Sequence, residues 1–322
     1  MSDTKPETHE LVIVGAGPAA LAAAIYTTRE DIDTVLYEKG VVGGLAAVTD
    51  WVDNYPGFPD GIAGLDLAEG LRKQAERFGA DIRLGEVFGI HDEGKLKRLE
   101  TTDGDMYAKA VLLATGSDYK KLGIPGEQEY YARGVHYCAT CDGAFYRDKR
   151  LVVVGGGNSA VQEAIFLTRF ATHIDLLVRS KLSASEILQH ELEKHADKIT
   201  VHLATTTDEI VGEDGKVTKV RGTHNGKKVE FNTDGVFVFI GLQPNTQFLQ
   251  ASDVKLDQIG MIVAGDDLAT SMPGVFVAGD VRAGANMQIA SATGEGATAA
   301  MMIRSYLEEH QRTHAEAATG KK

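Results

Sequence analysis

The most specific chemistry in this chain is carried by Cys138 and Cys141, its only two cysteines, spaced as Cys-Ala-Thr-Cys. A structural zinc site usually takes four Cys or His ligands, and the one candidate nearby is His136, so the ligand count argues against a metal. Two cysteines at this spacing, in a chain with no others, read as a redox pair cycling between dithiol and disulfide. Chemistry of that kind is carried by a cofactor that the protein binds and orients.

Two elements that bind such a cofactor are written into the chain. Leu11-Val-Ile-Val-Gly15-Ala-Gly17-Pro-Ala-Ala20 is a short apolar strand, a glycine turn and the start of a small-residue helix; Leu151-Val-Val-Val-Gly155-Gly-Gly157-Asn-Ser-Ala160 repeats the plan. In each copy the first glycine makes the tight turn and the second lets the backbone approach a pyrophosphate. The small third residue, Ala20 or Ala160, lets helix and strand pack closely. The pyrophosphate then rests on the helix N-terminus. Second strands are predicted over 33–37 and 174–178. The first ends at Glu38, whose carboxylate suits ribose hydroxyls, so this loop reads as a site for FAD or NAD. At the matching place the second copy has Val178 and then Arg179, which suits a 2′-phosphate and leans towards NADP.

Each copy is trailed by hairpin signals and a last apolar strand. Glu93-Gly94 and Asp103-Gly104 precede a strand over 110–114; Asp214-Gly215, Asn225-Gly226 and Asp234-Gly235 precede one over 236–240. From about residue 245 there is Gly274-Val-Phe-Val-Ala-Gly279-Asp280 and a helix predicted over 288–307, but no third glycine loop. This stretch is expected to return and complete the first domain. The fold class is therefore α/β: two Rossmann-like dinucleotide-binding domains, one of residues 1–117 and 246–322, the other of 118–245 inserted into it and carrying the redox pair. The tail from His310 reads as polar and mobile.

Composition bounds the partners. The 322 residues carry 33 Lys+Arg against 46 Asp+Glu, a net charge of −13 that repels nucleic acid and anionic membrane. With 43% apolar residues, no run of the ~18 needed to span a bilayer, and a polar N-terminus without a signal-peptide pattern, the expectation is a cytoplasmic globular enzyme. Glycine, at 36 residues, is in excess of the usual ~7%, as glycine-loop folds require.

Taken together, Gly15-Ala-Gly-Pro-Ala-Ala20, Asn54-Tyr-Pro-Gly-Phe-Pro59, Ala114-Thr-Gly116, Tyr137-Cys-Ala-Thr-Cys-Asp-Gly143, Gly155-Gly-Gly-Asn-Ser-Ala160 and Val277-Ala-Gly-Asp280 resemble the low-molecular-weight thioredoxin reductases over nearly the whole chain. The resemblance implies a three-layer ββα FAD domain, an inserted NADPH domain and a homodimer acting on thioredoxin or a thioredoxin-like protein. It places Gly15, Gly17 and Glu38 on the FAD pyrophosphate and ribose, and Gly44 and Asn54 near the flavin. Val87 falls near the adenine, Asp280 beside Gly279 on the ribityl chain, and Gln288 by the isoalloxazine. Gly155, Gly157, Ser159 and Arg179 line the nicotinamide nucleotide. Cys141 would face the flavin and Cys138 would attack the substrate disulfide, with Asp142 as proton donor and acceptor. Because the pair precedes Gly155 so closely, it rides on the nucleotide domain, and the resemblance implies a rotation hinged near 117–121 and 243–246.

The chain departs from the family where it would hold the 2′-phosphate. Of the usual basic residues only Arg179 is kept: Ser180 stands for the second, and a third has no counterpart. Lys181 is a point charge, not a fork. Two lost charge-assisted contacts, at ~1.5–3 kcal/mol each, are enough to erase a preference for NADPH, so NADH, ferredoxin or another donor stands as an alternative. Leu45, Trp51 and Met287 also depart from the pattern, with Trp51 expected in the core. The competing readings are a ferredoxin–NADP reductase-like flavoprotein, a disulfide reductase serving a peroxiredoxin-type partner, and a non-enzymatic flavin-binding protein.

Overall fold

The structure is a computed structural model that describes residues 7–49 and 51–319, with the side chains of 311–319 left aside. The chain forms two compact units, one of Met1–Asp118 with Gln243–Lys322 and one of Tyr119–Leu242. The return crossing thus falls at 242/243, slightly before the position expected from the sequence.

Unit one opens with β1 (Thr8–Val14), α1 (Pro18–Thr28) and β2 (Thr34–Glu38). A short α2 (Gly44–Ala47), the hairpin β3 (Trp51–Val52) with β4 (Ile62–Ala63), and α3 (Gly64–Arg77) follow. After β5 (Asp81–Leu84) comes the antiparallel meander β6 (Val87–Glu93), β7 (Leu96–Thr101) and β8 (Gly104–Leu113). Strand β9 (Ser117–Tyr119) leads to the crossing. Unit two contains β10 (Val135–His136), α4 (Ala139–Asp142), β11 (Arg150–Val154), α5 (Asn158–Leu167), β12 (His173–Leu177), α6 (Glu186–Glu193) and β13 (Ile199–His202). Its own meander is β14 (Thr205–Glu213), β15 (Lys216–His224) and β16 (Lys227–Asn232), followed by β17 (Gly235–Val238). The returning chain supplies β18 (Leu242–Pro244), β19 (Val275–Val277) and α7 (Ile289–Thr319) to complete the set.

In unit one the sheet order is β5-β2-β1-β8-β7-β6, with β19 also on β8. β1 pairs parallel with β2 and β8, and its run Leu11–Val14 is buried because both sheet faces are covered. One face packs on the alanines of α1 and on α7, the other on the meander side, so the sheet separates two apolar cores. Small residues bring α1 and α7 close: a Cβ on Gly296 would overlap the Ala19 carbonyl oxygen. Unit two repeats the plan with the all-parallel sheet β10-β17-β11-β12-β13 and a separate antiparallel β14-β15-β16. Among the described residues no helix is long and apolar enough to cross a membrane.

Three expectations are corrected. Asp234-Gly235 makes no hairpin: Asp234 exchanges hydrogen bonds with Arg150 and leads into β17, which runs parallel to β11 and is buried throughout, so it must be reached by a crossover. Trp51 is 44% exposed, not core. On the β3/β4 hairpin the alternation sends Val52 inward and Trp51 outward, and the indole N–H donates to Asp53 Oδ1 at 3.0 Å. The final helix runs well past the expected 307 to Thr319, because the Ala- and Glu-containing tail expected to be mobile is built of good helix formers; residues 320–322 lie outside the described residues.

Candidate active site

The redox pair sits in unit two on a turn held by its own core. The buried strand β10 delivers the chain to Cys138, which caps the N-terminus of the single-turn α4. Ala139, between the cysteines, is buried among Leu151, Val161, Ala164 and Leu167, while Thr140 faces outward. Gly143 is needed next, since a Cβ there would press on Leu167 of α5. The turn is thereby clamped onto the helix that opens the second glycine loop. Cys138 and Cys141 form a disulfide with their Cα atoms 5.3 Å apart. The Cys141 N–H donates to Cys138 Sγ at 3.2 Å.

Asp142, half-buried, follows directly. Its Oδ2 lies 3.2 Å from Nδ1 of His136, whose Nε2 lies 2.7 Å from the Tyr146 hydroxyl. Burial pushes the Tyr146 phenol well above its ordinary range, and the charges of Asp142 and Asp234 add to that; Tyr131 is raised by burial and by Asp142. Asp142 was legible from its place in the motif, but His136 and Tyr146 were not recognised as its partners. The sequence signal was present only as a histidine two residues ahead of Cys138 and an aromatic after the glycine.

The first glycine loop lies at the carboxyl ends of β1, β8 and β19, the crevice where open α/β sheets bind ligands. Gly15 takes a φ of +105°, and a Cβ there would overlap the Ala114 carbonyl oxygen, whereas a Cβ on Gly17 would meet nothing. Pro18 begins α1, whose first N–H groups have no side-chain cap. Ala20 is fully buried where helix meets strand. Glu38, at the end of β2, accepts from Ala16 N–H at 2.8 Å and Gly40 N–H at 2.7 Å, which points its carboxylate along the loop. The next loop docks on this one, with Gly43 N–H donating to Ala16 O and Gly44 close to Gly17.

At the far end of the crevice, Gly279 turns with a φ of +78°, donates its N–H to Glu295 Oε2 at 2.8 Å and packs on Ala19. Glu295 is itself paired with Arg282, a buttress the sequence reading missed. Asp280 follows. Its carboxyl has no hydrogen-bond partner among the described residues, and burial, with Glu295 nearby, pushes its pKa up to about 6. Asn54 and Gln288, far apart in sequence, are brought together: Asn54 Nδ2 donates to Gln288 Oε1 at 3.0 Å. Val87 is buried at the start of β6, apart from these contacts in the structure's hydrogen-bond network. An uncapped helix end, open space at Gly17 and the part-buried Asp280 carboxylate suit a flavin adenine dinucleotide with its phosphates and ribityl hydroxyls.

The second glycine loop is tighter. A Cβ on Gly155 would overlap Phe239 O and crowd Ala160, while Gly157 is nearly open. Ser159 is exposed on the first turn of α5. The segment after β12 folds over the loop: Ser183 N–H donates to Gly156 O at 2.7 Å and Ser185 N–H to Asn158 Oδ1 at 2.8 Å. Arg179 and Lys181 are exposed on that segment and form no ion pair with any described residue. Ser180 supplies only its backbone, accepting from Ala204 N–H.

The sequence pattern of the family described as pyridine nucleotide-disulphide oxidoreductase matches residues 9–296. Thioredoxin reductase from Listeria innocua is 41% identical over 319 residues, 98% of this chain and 99% of the relative. Thioredoxin reductase from Bacillus subtilis is 41% identical over 316 residues, 97% and 98% of the two chains. The crystal structure of thioredoxin reductase from Streptococcus pyogenes, 39% identical, superposes with a TM-score of 0.89 and covers 95% of this chain and 100% of its own. These likenesses do not favour the ferredoxin–NADP reductase-like reading.

Proposed function

The chain belongs to the pyridine nucleotide-disulphide oxidoreductases as an FAD-dependent thioredoxin reductase, and we propose how its residues divide that work. The observation that carries the assignment of roles is the Cys138–Cys141 disulfide with Asp142 at its shoulder, in the same unit as the second glycine loop. FAD, when bound, would supply the hydride-accepting ring that the side chains lack. Gly15, Gly17 and Ala20 shape the turn for its pyrophosphate, Glu38 takes the ribose, and Asp280 beside Gly279 takes the ribityl hydroxyls. Asn54 and Gln288, with Gly44, frame the flavin, and Val87 lies by the adenine. On the reduced protein the Cys138 thiolate attacks the thioredoxin disulfide, Asp142 protonates the departing sulfur, and Cys141 closes the disulfide again.

The nicotinamide nucleotide is assigned to Gly155, Gly157 and Ser159, with Arg179 and Lys181 on the 2′-phosphate. Neither cation pairs with any described residue, which supports NADPH as donor, but one fork and one point charge give it a modest advantage over NADH. We place the hinge at the two chain crossings and read the working form as a cytoplasmic homodimer whose mass in solution is twice the chain's.

Anaerobic mixing of the flavoprotein with NADPH, and separately with NADH, tests the donor through the flavin absorbance. Bleaching faster with NADPH is expected, and Arg179→Ala is expected to slow NADPH about tenfold or more while leaving NADH unchanged. If neither nucleotide bleaches a flavin that dithionite reduces, the donor assignment fails and ferredoxin takes its place.

A further inference from the structure

Cys138 stands between two anchors on opposite faces of one sheet. Strand β10 ends at His136, and Tyr137, the next residue, is buried in the apolar core on the meander side with Val135, Val152 and Val236. Ala139, on the other side of Cys138, is buried in the core that contains the inner face of α5. The Ala139 side is held by packing, since α4 runs on into Gly143 close against Leu167. The Tyr137 side is held by a hydrogen bond as well: its hydroxyl donates to Glu127 Oε1 at 2.8 Å, and its ring stacks on Tyr119 with centroids 5.4 Å apart.

Glu127 is itself fixed. It is buried, and two further donors converge on it: Leu122 N–H on Oε1 at 2.8 Å and Gly123 N–H on Oε2 at 2.7 Å. The turn that carries it is docked on the meander. Ile210 N–H donates to Pro125 O at 3.0 Å, and Gly126, at a φ of +84°, leaves no room for a Cβ against the Ile210 carbonyl oxygen. Burial first, and Glu127 second, hold the Tyr137 phenol far above its ordinary range, so the phenol keeps its proton and is the donor. The roles assigned to Cys138, Cys141 and Asp142 make no use of this buried carboxylate.

We propose that Glu127 is a positioning residue for Cys138, acting through Tyr137: the tie holds Cys138 within reach of Cys141 and so sets the balance between disulfide and dithiol. The inference rests on Cys138 being the attacking sulfur and Cys141 the one that closes the pair.

The step that depends on the tie is closure. The Cys138 thiolate first bonds to one sulfur of the target disulfide, and the other target sulfur leaves with the bonding electron pair and takes a proton from Asp142. The Cys141 thiolate then attacks Cys138 Sγ. The Cys138–Cys141 bond forms, the bond from Cys138 to the target breaks, and the second target sulfur leaves as a thiolate that water protonates. The dithiol has lost two electrons and the target disulfide has gained two. Closure is intramolecular, so its equilibrium follows the effective concentration of one sulfur at the other. Cys141 is placed by the clamped turn and Cys138 by Tyr137. Releasing Tyr137 gives Cys138 freedom in the dithiol that the disulfide denies it, and the balance moves towards the dithiol.

The test is the equilibrium of the FAD-loaded enzyme with mixtures of reduced and oxidised dithiothreitol, held anaerobically, quenched with acid and read by thiol alkylation. Because the chain has only two cysteines, every alkylated thiol belongs to the pair. Tyr137→Phe keeps the ring stack and removes the tie. It is expected to shift the equilibrium about tenfold towards the dithiol, which is about 30 mV for a two-electron couple. Glu127→Gln offers one acceptor oxygen where the carboxylate has two, and should shift it in the same direction by less, which keeps the test open if Tyr137→Phe fails to fold. A tie that merely stabilised the fold would lower the melting temperatures of the oxidised and reduced forms equally and leave the thiol–disulfide balance alone. An unmoved balance in both variants, or a shift towards the disulfide, overturns the inference. Full turnover of oxidised bacterial thioredoxin by Cys138→Ser overturns instead the reading of Cys138 as the attacking sulfur, and this inference with it.

Discussion

Asp280 shows at a single residue how binding and stability oppose each other. Its carboxyl is part-buried with no donor among the described residues, and its pKa is raised to about 6, above the ordinary 3.8, by burial first and by Glu295 second. Between those values the folded apoprotein holds a proton that the unfolded chain has released. Stability therefore falls as pH rises through about 4 to 6, and the full cost is present above pH 6. Asp280→Asn should stabilise the apoprotein at pH 7 by on the order of 2 kcal/mol, seen as a higher melting temperature, and leave it unchanged below about pH 4. The same variant should bind FAD ten- to a hundredfold more weakly, because an amide cannot replace a charged acceptor. Equal melting at pH 7 would show that the carboxylate is not strained in the absence of the cofactor.

The element that most depends on small residues is the α1/α7 contact under the first glycine loop. Gly296 lies where a Cβ would overlap the backbone of Ala19, and backbone cannot swing aside as a side chain can. Gly296→Ala should cost about 2–4 kcal/mol and loosen FAD, since Ala19 also supports the Gly279 turn. Gly70, exposed in the middle of α3 with nothing near its missing Cβ, is the contrast. Gly70→Ala should stabilise the protein by about 0.5–1 kcal/mol through helix propensity alone. Thermal melting of the two variants side by side distinguishes a packing glycine from a merely tolerated one. A destabilised Gly70→Ala or an unaffected Gly296→Ala would contradict this account of the helix pair.

At the scale of the molecule, each unit has its own sheet, mixed in the first and parallel in the second, and its own apolar cores. A ligand that binds one folded unit stabilises that unit by about 2.7 kcal/mol at a hundred times its dissociation constant. Calorimetry should therefore resolve two transitions, with added FAD raising the one that belongs to 1–118 and 243–322, and added nicotinamide nucleotide raising the other. A single transition moved equally by both ligands would mean that the units unfold as one.

The local motifs were decided in the sequence because their physics is local. A strand, a turn that only glycine can make and a helix start all lie within ten residues, so Gly15, Gly17, Gly155 and Gly157 were legible along with the class of fold. So was the redox pair, whose spacing is its chemistry. The exposure of Trp51 was not, because a lone aromatic does not reveal which face of a two-residue strand it takes. Nor was the parallel entry into β17, since Asp-Gly marks a turn without saying which strands it joins. Asn54 meeting Gln288, Glu295 bracing Gly279, and His136 reaching both Asp142 and Tyr146 are likewise products of the tertiary structure. Hydrogen bonds between elements depend on where packed sheets and helices bring their ends, and that is set by the burial of the whole core, which no short stretch of sequence contains.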